Sequence, residues 1–315
     1  MAEPAPLNIV FMGTPQFAVP TLQRLLTSPV CRVVGVVTAP DKPAGRGQKL
    51  QHSPVKECAL AHGIRVLQPT NLKAETFVEE LRALKPDLNI VVAFRMLPQV
   101  VWALPPQGSV NLHASLLPDY RGAAPIHWAV INGETRTGLT TFFIRQEIDT
   151  GNIIASVPID IPADWTTGQL HDLMMNHGAD LMADTVQAIA AGTVVPQPQD
   201  ASRALHVAPK IDKETARLTF GKTVRQQYNF IRGMSPAPGA WTLLEGKVLK
   251  AYLAQPATDV AQAPQPGRLL KHQHQLLLGC TDGWLRLTQV QLEGRKRLND
   301  NEFTAAFASI DVVLD

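Results

Sequence analysis

The chain has 315 residues, more than one typical hydrophobic core encloses, so about two domains are expected. Its apolar fraction of 45 % and charged fraction of 18 % are those of an ordinary soluble globular protein. The formal charge of +2 is unevenly spread: residues 1–205 carry 15 basic and 17 acidic side chains, residues 206–315 carry 14 and 10. A mildly basic second part fits either a polyanionic partner or a solvated surface.

Cys31, Cys58 and Cys280 show no Cys-x-x-Cys spacing, which argues against a zinc site or a disulfide framework and suits a reducing compartment. The start, Met1-Ala-Glu-Pro, lacks a basic segment, and the apolar run 7–12 is too short for a signal or a membrane span. A cytosolic protein is expected.

Run 7–12, closed by Gly13-Thr14-Pro15, reads as a buried first strand meeting a helix, and Phe17, Val19, Leu22, Leu25 and Leu26 follow at helical spacing. Residues 32–38 are β-branched and read as a second strand, so the pattern predicts a doubly wound, parallel α/β sheet. No Gly-x-Gly-x-x-Gly follows the first strand, so a dinucleotide is not indicated; Gly45-Arg46-Gly47 comes later and lacks a third glycine. Residues 39–54 hold three prolines, two glycines and the basic Lys42, Arg46 and Lys49, with Asp41 the sole acid. Without apolar periodicity they read as a long, exposed, structureless loop, which is usually functional or disordered. Helices over 55–61 and 74–84 and strands over 64–67 and 87–94 complete this part.

Residues 108–113 alternate into a short strand ending on Asn111 and His113, two apart and therefore on one face. Pro118 ends the extended run, leaving an amide donor and an imidazole at a strand's carboxyl end, where open α/β sheets bind ligands. A helix over 124–131, with Trp128 in the core, leads to a strand over 138–144 and a turn at Asp149-Thr150-Gly151. In a parallel sheet that strand would return Asp149 to the same carboxyl edge. An edge strand over 153–161 and a long helix over 167–191 follow; His171 and His177, six apart among polar neighbours, do not suggest a metal site. The proline- and glutamine-rich run 195–204 reads as a linker. Beyond it come a helix over 223–234 and short strands over 240–244, 248–253, 267–270, 276–280 and 284–292, which suggest a small barrel. There is no internal repeat.

The runs Asn111-Leu-His-Ala-Ser-Leu-Leu-Pro, Arg121-Gly-Ala-Ala-Pro-Ile and Gln146-Glu-Ile-Asp-Thr-Gly151 closely resemble the folate-dependent formyltransferases, most nearly the branch that acts on methionyl-tRNA. Gly13-Thr14-Pro15 is similar to that family's glycine–threonine–proline turn, and the loop from Pro40 to Lys56 matches its tRNA-entering loop nearly position by position. The resemblance implies a Rossmann-like, mostly parallel catalytic domain (1–192), a linker (193–208) and an OB-like β-barrel that holds tRNA (209–315). It also implies 10-formyltetrahydrofolate as cosubstrate and methionyl initiator tRNA as acceptor; no metal is expected, and the protein is expected to be a monomer. Ser115, Leu116, Leu117 and Pro118 would contact the folate; Lys42, Arg46 and Lys49 would contact the tRNA. Phe94-Arg95-Met96-Leu97-Pro98 departs from the commoner family pattern, a tyrosine–glycine pair with one more residue before the proline, and puts a bulky arginine in a segment that approaches the folate.

Formyl transfer to an amine needs a donor aimed at the developing oxyanion, a base, and a group that orients the base. Asn111 offers an N–H, His113 gives or takes a proton, and Asp149 would favour the imidazolium and pass a proton through water. Ser115 lies in no Gly-x-Ser-x-Gly elbow, so a serine hydrolase is not indicated. A formyltransferase acting on a small amine (a sugar nucleotide or glycinamide ribonucleotide) is opposed by the basic loop and the extra β module. A non-catalytic RNA-binding protein on the same fold is opposed by the intact Asn111, His113 and Asp149.

Overall fold

The computed structural model describes residues 5–44 and 49–314. In chain order the first elements are β1 (Leu7–Gly13), α1 (Val19–Leu26), β2 (Cys31–Val37), β3 (Lys42–Ala44), β4 (Lys49–Gln51), α2 (Pro54–Ala61), β5 (Val66–Leu67), α3 (Glu75–Ala83) and β6 (Leu88–Val92). Then come α4 (Gln99–Trp102), β7 (Ser109–His113), β8 (Arg121–Gly122), α5 (Pro125–Ile131), β9 (Arg136–Phe143), β10 (Ile153–Asp160), α6 (Thr167–Ala190) and β11 (Val207–Ala208). The contacts divide the chain into two units, one of Met1–Gly122, Thr137–Ile159 and His171–Val207, the other of Ala123–Arg136, Asp160–Leu170 and Ala208–Asp315.

The first unit is built on a seven-stranded sheet ordered β10-β9-β7-β6-β1-β2-β5. Strands β5, β2, β1, β6 and β7 are mutually parallel, whereas β9 runs antiparallel to β7. Ile9, Val10, Phe11 and Met12 of β1 are wholly buried, and all five residues of β6 are buried, as expected of strands covered on both faces. Asn89 of β6 donates to the Val101 carbonyl (3.2 Å) and to Ser109 Oγ (3.1 Å), and Ser109 Oγ donates to the Trp102 carbonyl (2.7 Å). These bonds tie the entry of β7 to its neighbours. Ser53 caps α2 by accepting from the Lys56 N–H at 3.1 Å, with Pro54 at the first helical position, where a missing N–H costs nothing.

Two expectations are corrected. The run 39–54 is not structureless: β3 and β4 pair antiparallel, Lys42 with Gln51 and Ala44 with Lys49. Three-residue strands, one of them containing a proline, leave no periodicity to read, so the pairing is invisible to pattern. The stem is braced from outside. Lys56 Nζ donates to Asp41 Oδ2 (2.5 Å) and Gln68 Oε1 (2.8 Å), and Gln68 Nε2 donates to Asp41 Oδ1 (2.9 Å) and the Ala39 carbonyl (2.8 Å). Hydrogen bonds from Lys56 and then Gln68 hold the Asp41 carboxyl below the usual carboxylate range. The second correction is the direction of β9, which was expected to be parallel.

The second unit adds α7 (Val224–Gly233), β12 (Ala240–Leu244), β13 (Lys247–Ala257), β14 (Arg268–His272), β15 (Gln275–Gly279), β16 (Trp284–Leu292), β17 (Leu298–Asn299), α8 (Asp300–Ala305) and β18 (Asp311–Val313). Its sheet, ordered β12-β13-β16-β15-β14-β18 with β17 on β16, is antiparallel and forms a curled half-barrel. The β13–β16 pairing is irregular twice, with Tyr252 extra on β13 and Thr288 extra on β16, and such an extra residue bends a strand and sharpens its twist. Phe230, Ile231 and Met234 share a core with Leu249, Ala251, Leu276 and Leu285. Sequence pattern missed α8, although Asn299 and Glu302 form the capping box that marks its start. Among the described residues no helix is long and apolar enough to cross a membrane.

Burial raises the thiols of Cys31 and Cys58 and pushes that of Cys280 up to about 12, so the nucleophilic thiolate is suppressed at all three. The native protein should therefore show almost no fast thiol with an aromatic disulfide reagent at pH 8, and three in denaturant. A fast-reacting native thiol would contradict this packing.

Candidate active site

Strand β7 reads Ser-Val-Asn-Leu-His and lies inside the sheet, so its backbone is fixed on both sides: Asn111 pairs with Val91 and Phe142, and His113 with Thr140. The two-residue period puts the Asn111 and His113 side chains on one face. The His113 side chain is only 7 % exposed, and its Nε2 donates to the Tyr120 carbonyl at 2.9 Å. A carbonyl only accepts, so Nε2 carries hydrogen and Nδ1 is left facing Asp149 Oδ2 at 3.7 Å. Asn111 is half-buried, and its side-chain amide has no hydrogen-bond partner among the described residues. An unengaged amide on the same face as a buried imidazole is a donor suited to an acyl oxygen, and the carboxylate faces the imidazole as an acceptor.

Asp149 does not arrive by the expected route. Antiparallel β9 ends beside the start of β7, where the Ile144 N–H donates to the Ser109 carbonyl at 2.7 Å. Asp149 meets His113 because the following loop folds back. The Phe143 N–H donates to the Asn152 carbonyl (3.0 Å), and a Cβ at Gly151 would lie 1.5 Å from the Phe143 oxygen, so only glycine closes this turn. Asp149 itself adopts a left-handed φ of 54°, which aspartate tolerates better than most residues. Its Oδ2 accepts from the Gly122 N–H at 3.0 Å, and Gly122 has a φ of 127° that a side chain would resist.

Of the expected folate segment, Ser115, Leu117 and Pro118 are buried and only Leu116 is half-buried. Buried Thr140 on β9 fastens it, its Oγ1 donating to the Ser115 carbonyl (2.7 Å) and accepting from the Leu117 N–H (3.2 Å). Ser115 Oγ donates to the Asp119 carbonyl at 2.6 Å. Arg95 is held on the carbonyls of Thr70 (3.1 Å) and Pro69, with its guanidinium 5.7 Å from the centre of the Phe94 ring. Lys42 is exposed at the start of the β3–β4 hairpin, and Lys49 opens its return strand; Arg46 lies outside the described residues.

Sequence reasoning did not single out the groups around these residues. Tyr120 has a left-handed φ of 55°, its N–H donates to the His206 carbonyl (3.0 Å), and its ring stacks on His206 at 4.9 Å. Asp119 accepts from the N–H groups of Leu205 (3.0 Å) and His206 (2.6 Å) and lies 3.1 Å from His206 Nδ1. Gln199 reaches the Asp149 loop, and Arg121 reaches Gln199. Arg121 sits in a recognisable motif, but nothing in the sequence marked Gln199 or His206.

Residues 7–186 match the formyl transferase family model and residues 210–308 match the formyl transferase C-terminal domain. The chain is 47 % identical to the methionyl-tRNA formyltransferase of Flavobacterium johnsoniae over 93 % of each chain. It is 48 % identical to that of Bacteroides fragilis, over 96 % of this chain and 95 % of the relative. Among solved structures, the fold is similar to HypX from Aquifex aeolicus in complex with tetrahydrofolic acid (TM-score 0.63, 18 % identity, 95 % of this chain and 47 % of HypX). It is similar also to the N-formyltransferase from Helicobacter canadensis in complex with folinic acid and dTDP-3-aminofucose (TM-score 0.64, 18 % identity, 93 % of this chain and 100 % of the other).

Thr140→Val keeps the side-chain shape but strips partners from the buried Ser115 carbonyl and Leu117 N–H. Each orphaned group costs ~1–3 kcal/mol, so a loss of about 2–6 kcal/mol is expected in urea unfolding. A loss within experimental error would show that Thr140 does not fasten this segment.

Proposed function

The chain belongs to the formyl transferase family, and from that premise we propose that it transfers the formyl group of 10-formyltetrahydrofolate to the α-amine of methionyl initiator tRNA. What carries the reading is full-length similarity to methionyl-tRNA formyltransferases combined with the convergence of Asn111, His113 and Asp149 on one face of β7. The cosubstrate, when bound, supplies an activated formyl group. Asn111, its amide unspent, donates to the oxygen of the carbonyl under attack and stabilises the negative charge that develops there. His113 handles the proton of the attacking amine at Nδ1, since Nε2 is committed to Tyr120. Asp149, fixed by the Gly122 N–H, orients that nitrogen and stabilises positive charge on the ring as it forms.

The Ser115, Leu116, Leu117 and Pro118 turn is the rigid floor beside the folate, with Leu116 presenting surface to it. Lys42, Arg46 and Lys49 take the acceptor arm of the tRNA, as phosphate-directed cations do. Residues 1–192 carry the chemistry, 209–315 hold the tRNA and 193–208 join them. The protein works as a monomer in the cytoplasm, beside the translation machinery that consumes its product.

The purified protein should formylate charged initiator tRNA with 10-formyltetrahydrofolate, and fail with free sugar-nucleotide amines. Asp149→Asn should keep the fold by circular dichroism and lower single-turnover rates by roughly 10³–10⁴, the scale seen when a base-orienting carboxylate is lost. Undiminished turnover in that variant would take Asp149 out of the mechanism. Arg46→Ala should lower tRNA formylation at least about tenfold, with folate binding unchanged and the deficit narrowing as salt rises. A wild-type rate at every salt concentration would remove Arg46 from the tRNA contact.

A further inference from the structure

Gln199 lies in a run with no periodic pattern, Pro196-Gln-Pro-Gln-Asp200, whose other four residues are exposed. It alone there is half-buried. The backbone is pinned just before it, because the Gln197 N–H donates to the Ile153 carbonyl (2.8 Å) and the Ile153 N–H to the Gln197 carbonyl (2.7 Å). Pro198 then stiffens the step to Gln199.

The Gln199 amide is fully used. Nε2 donates to the carbonyls of Asp149 (2.8 Å) and Gly151 (2.8 Å), while Oε1 accepts from Arg121 Nε (3.1 Å) and Nη2 (2.5 Å). Arg121 immediately precedes Gly122, whose N–H holds the Asp149 carboxylate. The loop is thus gripped at its backbone by Gln199 and at its carboxylate by the segment to which Arg121 belongs. Among the described residues little else holds it: Arg145, Gln146, Glu147 and Ile148 are exposed, and the further bonds run from Thr150 Oγ1 to the Glu147 carbonyl (3.0 Å) and from the Phe143 N–H to the Asn152 carbonyl (3.0 Å).

We propose that Gln199, locked by Arg121, is a positioning residue that sets the Asp149 carboxylate against Nδ1 of His113. The inference rests on the proposed role of Asp149 and His113 in formyl transfer. The Asp149–His113 separation of 3.7 Å lies just beyond hydrogen-bond range, so a small drift of the loop decides whether the pair engages. The amide is chemically specific. Two carbonyls demand two N–H donors and a guanidinium demands an acceptor; glutamate satisfies only the arginine and would repel the carbonyls, and leucine satisfies neither.

The test is single-turnover and steady-state formylation of charged initiator methionyl-tRNA with 10-formyltetrahydrofolate by the wild type, Gln199→Leu, Gln199→Glu, Asp149→Asn and the Gln199→Leu/Asp149→Asn double variant, with urea unfolding of each. Both Gln199 variants should lose roughly a hundredfold in kcat, the scale of an ångström-level misplacement. Their KM for the tRNA should stay within about twofold, since ground-state binding is untouched. In the Asp149→Asn background, Gln199→Leu should cost nothing further, because its effect acts through that carboxylate. Wild-type turnover in Gln199→Leu, full retention in Gln199→Glu, or an undiminished penalty in the Asp149→Asn background would each overturn the inference while leaving the proposed function standing. A wild-type protein inert toward the tRNA would overturn the proposed function and the inference together. Should Gln199→Leu not fold, Gln199→Glu, which keeps its bond to Arg121, decides on the same readings.

Discussion

The hydrogen bond from His113 Nε2 to the Tyr120 carbonyl is the constraint on which the site depends. Because a carbonyl only accepts, it settles which ring nitrogen is protonated and directs the other toward Asp149. Tyr120 itself holds a left-handed backbone, a conformation that costs a non-glycine residue on the order of 1 kcal/mol or more. The surroundings over-determine it. Tyr120 donates its own N–H to His206 and stacks its ring on the His206 imidazole, and Asp119 grips the same histidine from its side chain. The orientation of one imidazole is therefore set by residues more than eighty positions further along the chain.

The elements read most directly from sequence are those whose periodicity reports burial. The apolar run in β1, the pair two apart on β7 and the helical stripe in α7 each follow from a local rule, and each lies where that rule puts it. Strand direction is different. Nothing in residues 136–143 says whether they run with or against β7, because the side-chain period is the same either way. The expectation of a parallel return brought Asp149 to the correct neighbour by the wrong path. In the structure the turn at Gly151 and the positive φ of Asp149 reverse the chain, and both are consequences of close backbone approach that no pattern encodes.

Gln199 and His206 were illegible for a related reason. A glutamine in a proline-rich run is read as solvent-exposed linker, since only tertiary placement gives its amide something to bond. The hairpin of β3 and β4 escaped in the same way. Two three-residue strands are marginal in isolation, and here Asp41, Lys56 and Gln68 brace the stem. Where a segment is held by polar side chains distant in sequence, hydropathy carries no trace of the order.

The site therefore joins parts of unequal rigidity. Asn111 and His113 project from a strand paired on both sides, so their backbone moves only with the sheet. Asp149 projects from a loop with four exposed residues before it, and its position rests on a handful of hydrogen bonds from Gly122 and Gln199. Local opening is cheapest where few buried contacts resist it, so the carboxylate is the member of the three whose placement is easiest to disturb. That inequality has a chemical logic. On the proposed roles, an oxyanion donor must be preorganised to be effective, whereas a group that answers charge on the imidazole has only to be correctly placed while that charge exists.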